Sequence, residues 1–278
     1  MSLAERLKSG ELSRWLVALV LIPPTLLCVF SQNKVYLLAL VAIMGGMAWG
    51  EYVKNLLGSE RVGLLALSLM GFLATVVGAT FFGTNGQILG LFLALVFGAA
   101  YFLRVLKPEQ DRISVNLVSR YALGHFYLTF CLSFIMLIKD SENGPKWLLF
   151  VILITALNDT GAFFFGSRFK GPKLSPIISP NKTVSGLLGG CLVSALIGGL
   201  SKYFIPAEYG WRELAALGLF LGLWGTFGDL FESGFKRAMG VKDTSTLLGG
   251  HGGFWDRLDS ILFNVPPVYF YVFWRTLP

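Results

Sequence analysis

KWLLFVILITALNDTGAFFFG, residues 146–166, is apolar along nearly its whole length, yet it carries Asn158-Asp159-Thr160 in its second half. About 20 mostly apolar residues wound as a helix cross the roughly 30 Å hydrocarbon core of a bilayer. The stretch therefore predicts a transmembrane helix. It also predicts that Asp159 is functional, because an ionised group at the centre of such a helix costs about 2.5–3.5 kcal/mol on insertion scales. A salt bridge to another helix is the competing explanation for the same carboxylate.

Similar runs extend outward in both directions, at about 14–31, 35–52, 62–82, 87–106 and 117–138, then at 184–205, 211–233 and 260–277. Pro23-Pro24 and Pro266-Pro267 interrupt the first and last runs and remove backbone donors there. Across all 278 residues the chain is 54% apolar and only 14% charged, where soluble domains carry about 25% charged residues. The expected architecture is an all-α polytopic membrane protein with about nine transmembrane helices and a polar cavity facing the cytoplasm. No separate soluble domain is expected. The scaffold, with any dimer contacts, is expected in residues 1–145 and the catalytic region in 146–278. Arg6, Lys8 and Arg14 precede the first run as in a signal peptide, but no small-x-small cleavage site follows, so a retained helix is expected.

Charge placement sets the orientation. With a cytoplasmic N-terminus and nine spans, only Lys34, Lys139, Lys146, Lys202, Arg212 and Arg275 of the 23 Lys and Arg fall on the far side. That bias is strongly positive-inside. It puts the two longest polar loops, 167–183 and 236–258, in the cytoplasm, where nucleotides are. The net charge of +7 is then explained better by topology and anionic headgroups than by nucleic-acid binding, and no nucleic-acid partner is expected. Cys28, Cys131 and Cys191 each lie in an apolar run, too far apart for a local metal site, and are expected to behave as small hydrophobes. Gly186, Gly189, Gly190, Gly198 and Gly199 suit the seventh span to close helix packing, within the chain or across a dimer.

Three segments bring polar chemistry to the membrane. After Asp159, the loop 171–186, GPKLSPIISPNKTVSG, sets Lys173, Ser179, Asn181, Lys182 and Thr183 just before a helix. Lys, Ser and Thr beside the free N–H groups of a helix start can cradle phosphate, although the same residues serve equally as ordinary caps. At the end of the eighth span, Asp229, Glu232 and Lys236 stand at i, i+3 and i+7 and share one helical face. Two carboxylates on one face suit a hard cation such as Mg2+, with a Lys beyond to meet phosphate. The third segment, Leu248 to Asp259, surrounds His251 with glycines and places Asp256 and Asp259 at i, i+3. Glycines there, Gly252 and Gly253 among them, allow phosphate to approach main-chain N–H groups. Joining two phosphates needs metal ions and Lys/Arg clamps to neutralise charge on the leaving group. An ionised phosphate nucleophile needs no general base, so the scarcity of His is no obstacle; His125, in an apolar run, is read as packed.

Ser233 to Asp259 holds Ser233, Lys236-Arg237, Lys242-Asp243, His251-Gly252-Gly253 and Asp256-Arg257-Leu258-Asp259. That pattern resembles the signature of the phosphatidate cytidylyltransferase (CDP-diacylglycerol synthase) family, with no position missing. Asp159-Thr160-Gly161-Ala162 and Ser179-Pro180-Asn181-Lys182-Thr183 are similar to a second region of that family. The likeness covers about residues 150–278. It implies that CTP and phosphatidate form CDP-diacylglycerol and pyrophosphate in a multi-helix, homodimeric protein of the bacterial inner membrane. It also implies that Asp229 and Asp256 are the metal-binding aspartates, with K+ accompanying Mg2+. Asp159, Glu232 and Asp259 are further candidate ligands. Lys173, Lys182, Lys236, Arg237 and Arg257 are expected to contact phosphate by their charge and placement, with His251 beside them. Two other readings remain open at this level: a CTP-dependent enzyme acting on another lipid phosphate, and an ion-coupled transporter, against which the absence of inverted repeats counts.

Overall fold

Backbone N–H and C=O groups in hydrocarbon must be paired within their own segment, which leaves helices as the economical way for such runs to cross. The computed structural model describes residues 11–57, 62–105, 111–245, 247 and 252–276, and almost all of these are helical. In chain order the helices are α1 (Glu11–Phe30), α2 (Lys34–Tyr52), α3 (Val62–Val105), α4 (Asp111–Gly124), α5 (Cys131–Asp140), α6 (Gly144–Phe169), α7 (Val184–Leu200), α8 (Trp211–Ala238) and α9 (Trp255–Thr276). A π-helical turn, Val53–Leu57, extends α2, and another, His125–Phe130, joins α4 to α5. Between α6 and α7 stands a hairpin of two short strands, β1 (Lys173–Ser175) and β2 (Ser179–Thr183). Its antiparallel register pairs Lys173 with Thr183 and Ser175 with Ser179. The protein is thus an all-α polytopic membrane protein with one small hairpin where the sequence suggests an open loop.

Among the described residues, six helical segments are long and apolar enough to cross a membrane: Lys34–Leu56, Val62–Arg104, Asn116–Asp140, Gly144–Phe169, Val184–Tyr203 and Trp211–Ala238. The second of these is not a single rod. Gly83 has φ 62° and ψ −147°, outside the helical region, and the two arms fold back on each other. A Cβ on Gly78 would lie 2.3 Å from the Gly86 carbonyl oxygen, one on Gly90 would lie 2.5 Å from Thr75 Cα, and one on Gly71 would lie 2.6 Å from Ala94 Cβ. The arms correspond to the expected spans 62–82 and 87–106. The Pro-bearing helices α1 and α9 form as expected but are not among the six.

The chain divides into two compact units, one of residues 1–137 with 243–257 and one of 138–242 with 258–278. In the first, Trp49, Tyr52, Tyr121 and His125 form an aromatic cluster, with His125 4.6 Å from both Trp49 and Tyr121 by ring centroids. His125 is fully buried, and its Nδ1 lies 3.2 Å from Thr129 Oγ1, which also accepts from Trp49 Nε1 at 2.9 Å. The packed role expected of this histidine holds, with one polar neighbour that the apolar run does not advertise.

In the second unit α7 lies between α6 and α8, and its glycines let the backbones approach. A Cβ on Gly189 would strike Phe165, on Gly190 the Asn158 side chain, and on Gly198 the Leu214 carbonyl oxygen. The opposite face, Leu188, Leu192, Leu196 and Leu200, is exposed, as suits contact with lipid. Gly186, Gly189, Gly190 and Gly198 therefore serve packing within the chain. All three cysteines are free thiols.

Candidate active site

Helix packing in the second unit explains how three carboxylates from two helices meet. Gly225 of α8 faces Asn264 of α9, and Gly228 faces Phe263, each so close that a Cβ would overlap the partner side chain. Continued one turn along this antiparallel register, Glu232 comes level with Asp259. Asp229, Glu232 and Asp259 accordingly offer oxygen atoms within 4.8 Å of one another.

Like charges so close need counter-charge, and two lysines supply it. Lys182 Nζ is 2.5 Å from Asp229 Oδ2, both side chains being about a quarter exposed. Lys236 Nζ is 2.7 Å from Glu232 Oε2, and Glu232 is completely buried. Ser233 Oγ donates to Asp229 Oδ1 at 3.3 Å. The helical spacing of Glu232 and Lys236 produces that ion pair directly, whereas Lys182 arrives from β2. Three carboxylates form an all-oxygen, hard donor set that fits Mg2+ or another hard cation.

Beside Asp229 opens a cavity of about 900 Å³ within the same unit. Asp159, Lys173, Asn181, Lys182 and Thr183 all line it, as does Lys170, which the motif pattern does not mark. Ala162, Phe163, Leu174 and Leu187 give the cavity apolar walls as well, so a ligand with both anionic and greasy parts matches its lining. Asp159 is exposed and lines this cavity. Thr183 caps α7 by accepting from Gly186 N at 3.1 Å. Its hydroxyl therefore does the capping that the sequence allows as one of two readings. Ser179 sits in the hairpin register opposite Ser175. Arg237 Nε donates to the Ile178 carbonyl at 3.1 Å and its Nη1 to the Val241 carbonyl at 3.3 Å, so this guanidinium braces the hairpin turn.

The rest of the predicted set lies in the first unit or in the loop leading to it. Lys242, Asp243 and Arg257 are exposed, and His251 lies outside the described residues. Gly252 has φ +76°, a conformation that L side chains rarely adopt. Among the described residues of the Gly-rich segment, three main-chain N–H groups are engaged within the protein. Gly253 N donates to Asp256 Oδ2 at 2.6 Å, and Phe254 N and Trp255 N donate to Glu51 at 3.0 and 2.9 Å. Thr244 N also donates to Asp256 Oδ2 at 3.0 Å. Glu51 is absent from the motif pattern. Its signal in the sequence is the same as that of Asp159, a carboxylate inside an apolar run, here Trp49-Gly50-Glu51-Tyr52.

A model of the cytidylyltransferase family matches residues 12–274. Phosphatidate cytidylyltransferases of Staphylococcus aureus and Staphylococcus epidermidis are each 38% identical to the chain over 162 residues, and that of Staphylococcus saprophyticus is 37% identical over the same length. Each match covers 55% of this chain and 62% of the relative, so the chain spans under two thirds of the length of these relatives.

Proposed function

The chain belongs to the cytidylyltransferase family, and from that premise we propose that it condenses CTP with phosphatidate to CDP-diacylglycerol and pyrophosphate in the membrane. The observation that carries this reading is the Asp229–Glu232–Asp259 carboxylate cluster, matched by Lys182 and Lys236 and opening beside a cavity with basic and apolar walls. The names of the relatives point the same way.

In the proposed reaction an oxygen of the phosphatidate phosphate attacks the α-phosphorus of CTP. A new P–O bond forms, the α–β bridging bond breaks, and its electron pair leaves on pyrophosphate. Asp229, Glu232 and Asp259 would hold Mg2+, which supplies Lewis-acid neutralisation of charge on the phosphate oxygens; the family pattern assigns Asp256 to the metal too, and K+ beside it. Lys170, Lys173 and Lys182 are placed on the cavity wall to draw in the polyanion and hold it. Lys182 neutralises Asp229 in the resting protein and can turn to phosphate when a cation takes its place. The phosphate nucleophile is already ionised, so no side chain needs to remove a proton. Phe163, Leu174 and Leu187 offer apolar surface to the lipid's glycerol and proximal acyl chains. The basic bias of the 167–183 and 236–258 loops supports a site facing the cytoplasm of a bacterial inner membrane.

Purified chain in lipid–detergent micelles, given CTP labelled in the cytidine, Mg2+ and phosphatidate, should move label into the organic phase. A parallel set of acceptors, an ether-linked phosphatidate and an isoprenoid phosphate, tests the runner-up among lipid substrates. Label that stays aqueous with every acceptor refutes the transferase reading.

A further inference from the structure

Glu51 is 4% exposed in a membrane helix, and its two oxygens accept four hydrogen bonds from a single distant stretch of chain. Oε1 accepts from Ser245 Oγ at 2.6 Å and Phe254 N at 3.0 Å. Oε2 accepts from Thr244 Oγ1 at 2.8 Å and Trp255 N at 2.9 Å. Phe254 and Trp255 stand at the start of α9, where helical N–H groups have no partner within the helix. Capping is usually the work of a local Ser, Thr, Asp or Asn; here the cap comes from α2, with Trp255 standing 204 positions after Glu51 along the chain. One turn further along, Asn55 Nδ2 bridges the Glu51 carbonyl at 2.8 Å and the Thr244 carbonyl at 2.9 Å. Asp256 closes the arrangement from the other side, where its Oδ2 accepts from Thr244 N and Gly253 N. The fit is tight: a Cβ on Gly253 would lie 2.3 and 2.4 Å from the Glu51 oxygens and 2.4 Å from Thr244 Oγ1.

We propose that Glu51 is a positioning residue for the nucleotidyl transfer: it clamps Thr244, Ser245 and the first turn of α9, and so fixes the orientation of Asp256, which the family pattern assigns to the metal. The proposal rests on the transferase reading for its catalytic consequence and on the hydrogen bonds alone for the clamp. Its chemistry demands a carboxylate. Four donors converge on two oxygens, so an amide at this position would turn an NH2 group toward two N–H or O–H donors. A shortened Asp would withdraw both acceptors from the α9 amides.

The test compares wild type, Glu51→Gln and the milder Ser245→Ala, which removes a single donor. Hydrogen exchange of the peptide covering residues 244–258 reads the clamp, and steady-state kinetics reads its consequence. In Glu51→Gln the Phe254 and Trp255 amides should exchange about tenfold faster or more. Its kcat should fall by on the order of 10–100-fold, as for outer-shell partners of metal ligands, with the Mg2+ requirement rising and KM for CTP nearly unchanged. Ser245→Ala should change both readouts in the same direction by a smaller factor, and it decides the matter if Glu51→Gln fails to fold. Unchanged exchange at these amides overturns the clamp. Faster exchange with unaltered kcat, or exchange rising equally throughout the protein, overturns the positioning role. An inactive wild type refutes the transferase reading and the catalytic half of the proposal, while exchange still decides the clamp.

Discussion

Replacing Lys236 by Met should destabilise the protein more than replacing Lys236 and Glu232 together. The Lys236–Glu232 pair is 2.7 Å long, with 13% of the lysine side chain and none of the glutamate side chain exposed. Removing one partner of a buried pair typically costs about 3–5 kcal/mol, because the remaining charge is left in a poorly solvating place. Here the remaining charge also faces Asp229 and Asp259. Two unit charges no more than 4.8 Å apart repel by about 3.5 kcal/mol or more at an effective dielectric constant of about 20. Lys236→Met should therefore fall at the upper end of the range of about 3–5 kcal/mol. The double variant Lys236→Met/Glu232→Leu removes both charges and should recover most of the loss, to within about 1–2 kcal/mol of wild type, yet remain inactive. Thermal unfolding of the detergent-solubilised variants, with EDTA and with excess Mg2+, makes the comparison. Mg2+ should narrow the gap between Lys236→Met and wild type, since a bound cation restores the missing positive charge. A Lys236→Met protein as stable as wild type in EDTA would refute the buried carboxylate cluster, and so would a double variant no better than the single one.

Two other perturbations separate chemistry from scaffold. Asp229→Asn should lower kcat by more than the roughly 10–100-fold usual for outer-shell partners and raise the Mg2+ concentration for half-maximal rate, both read in the lipid-labelling assay; a variant with the wild-type Mg2+ curve removes Asp229 from the metal site. Gly78→Ala gains about 1 kcal/mol of helix propensity but puts a methyl 2.3 Å from the Gly86 carbonyl oxygen and 2.7 Å from its carbon. Backbone on both sides cannot give way as a side chain can, so overpacking of about 1–3 kcal/mol should win and lower the unfolding temperature. An unchanged or raised temperature would show that the two arms of α3 do not pack in this way.

Much of the site was legible because its parts are local. Asp229, Glu232 and Lys236 share a helical face by spacing alone, and the lysine-to-glutamate pair follows from i, i+4. The cavity wall was marked by Asp159, Lys173, Asn181 and Lys182. The hairpin was harder to read, since its prolines and single lysines look like any stiff loop; its register emerges only from the pairing of Lys173 with Thr183. The Gly-rich segment around His251 suggested a phosphate cradle, but carboxylates of the protein itself occupy its Gly253, Phe254 and Trp255 amides. Whether an N–H group is vacant depends on what else folds against it.

Sequence by itself determined that this chain is helical and lives in a membrane, because hydrocarbon demands long apolar runs whose backbones pair internally. It also marked which short segments hold charge, since charge beside lipid is costly enough to stand out. Tertiary structure decided which carboxylates meet. Asp259 joins Asp229 and Glu232 because glycines bring α8 and α9 together, and Glu51 caps α9 from the other end of the chain. In a soluble helix an apolar stripe would reveal the buried face, but lipid tails are as apolar as a leucine. Hydropathy therefore does not say which face of a membrane helix turns inward, and only the packed structure does.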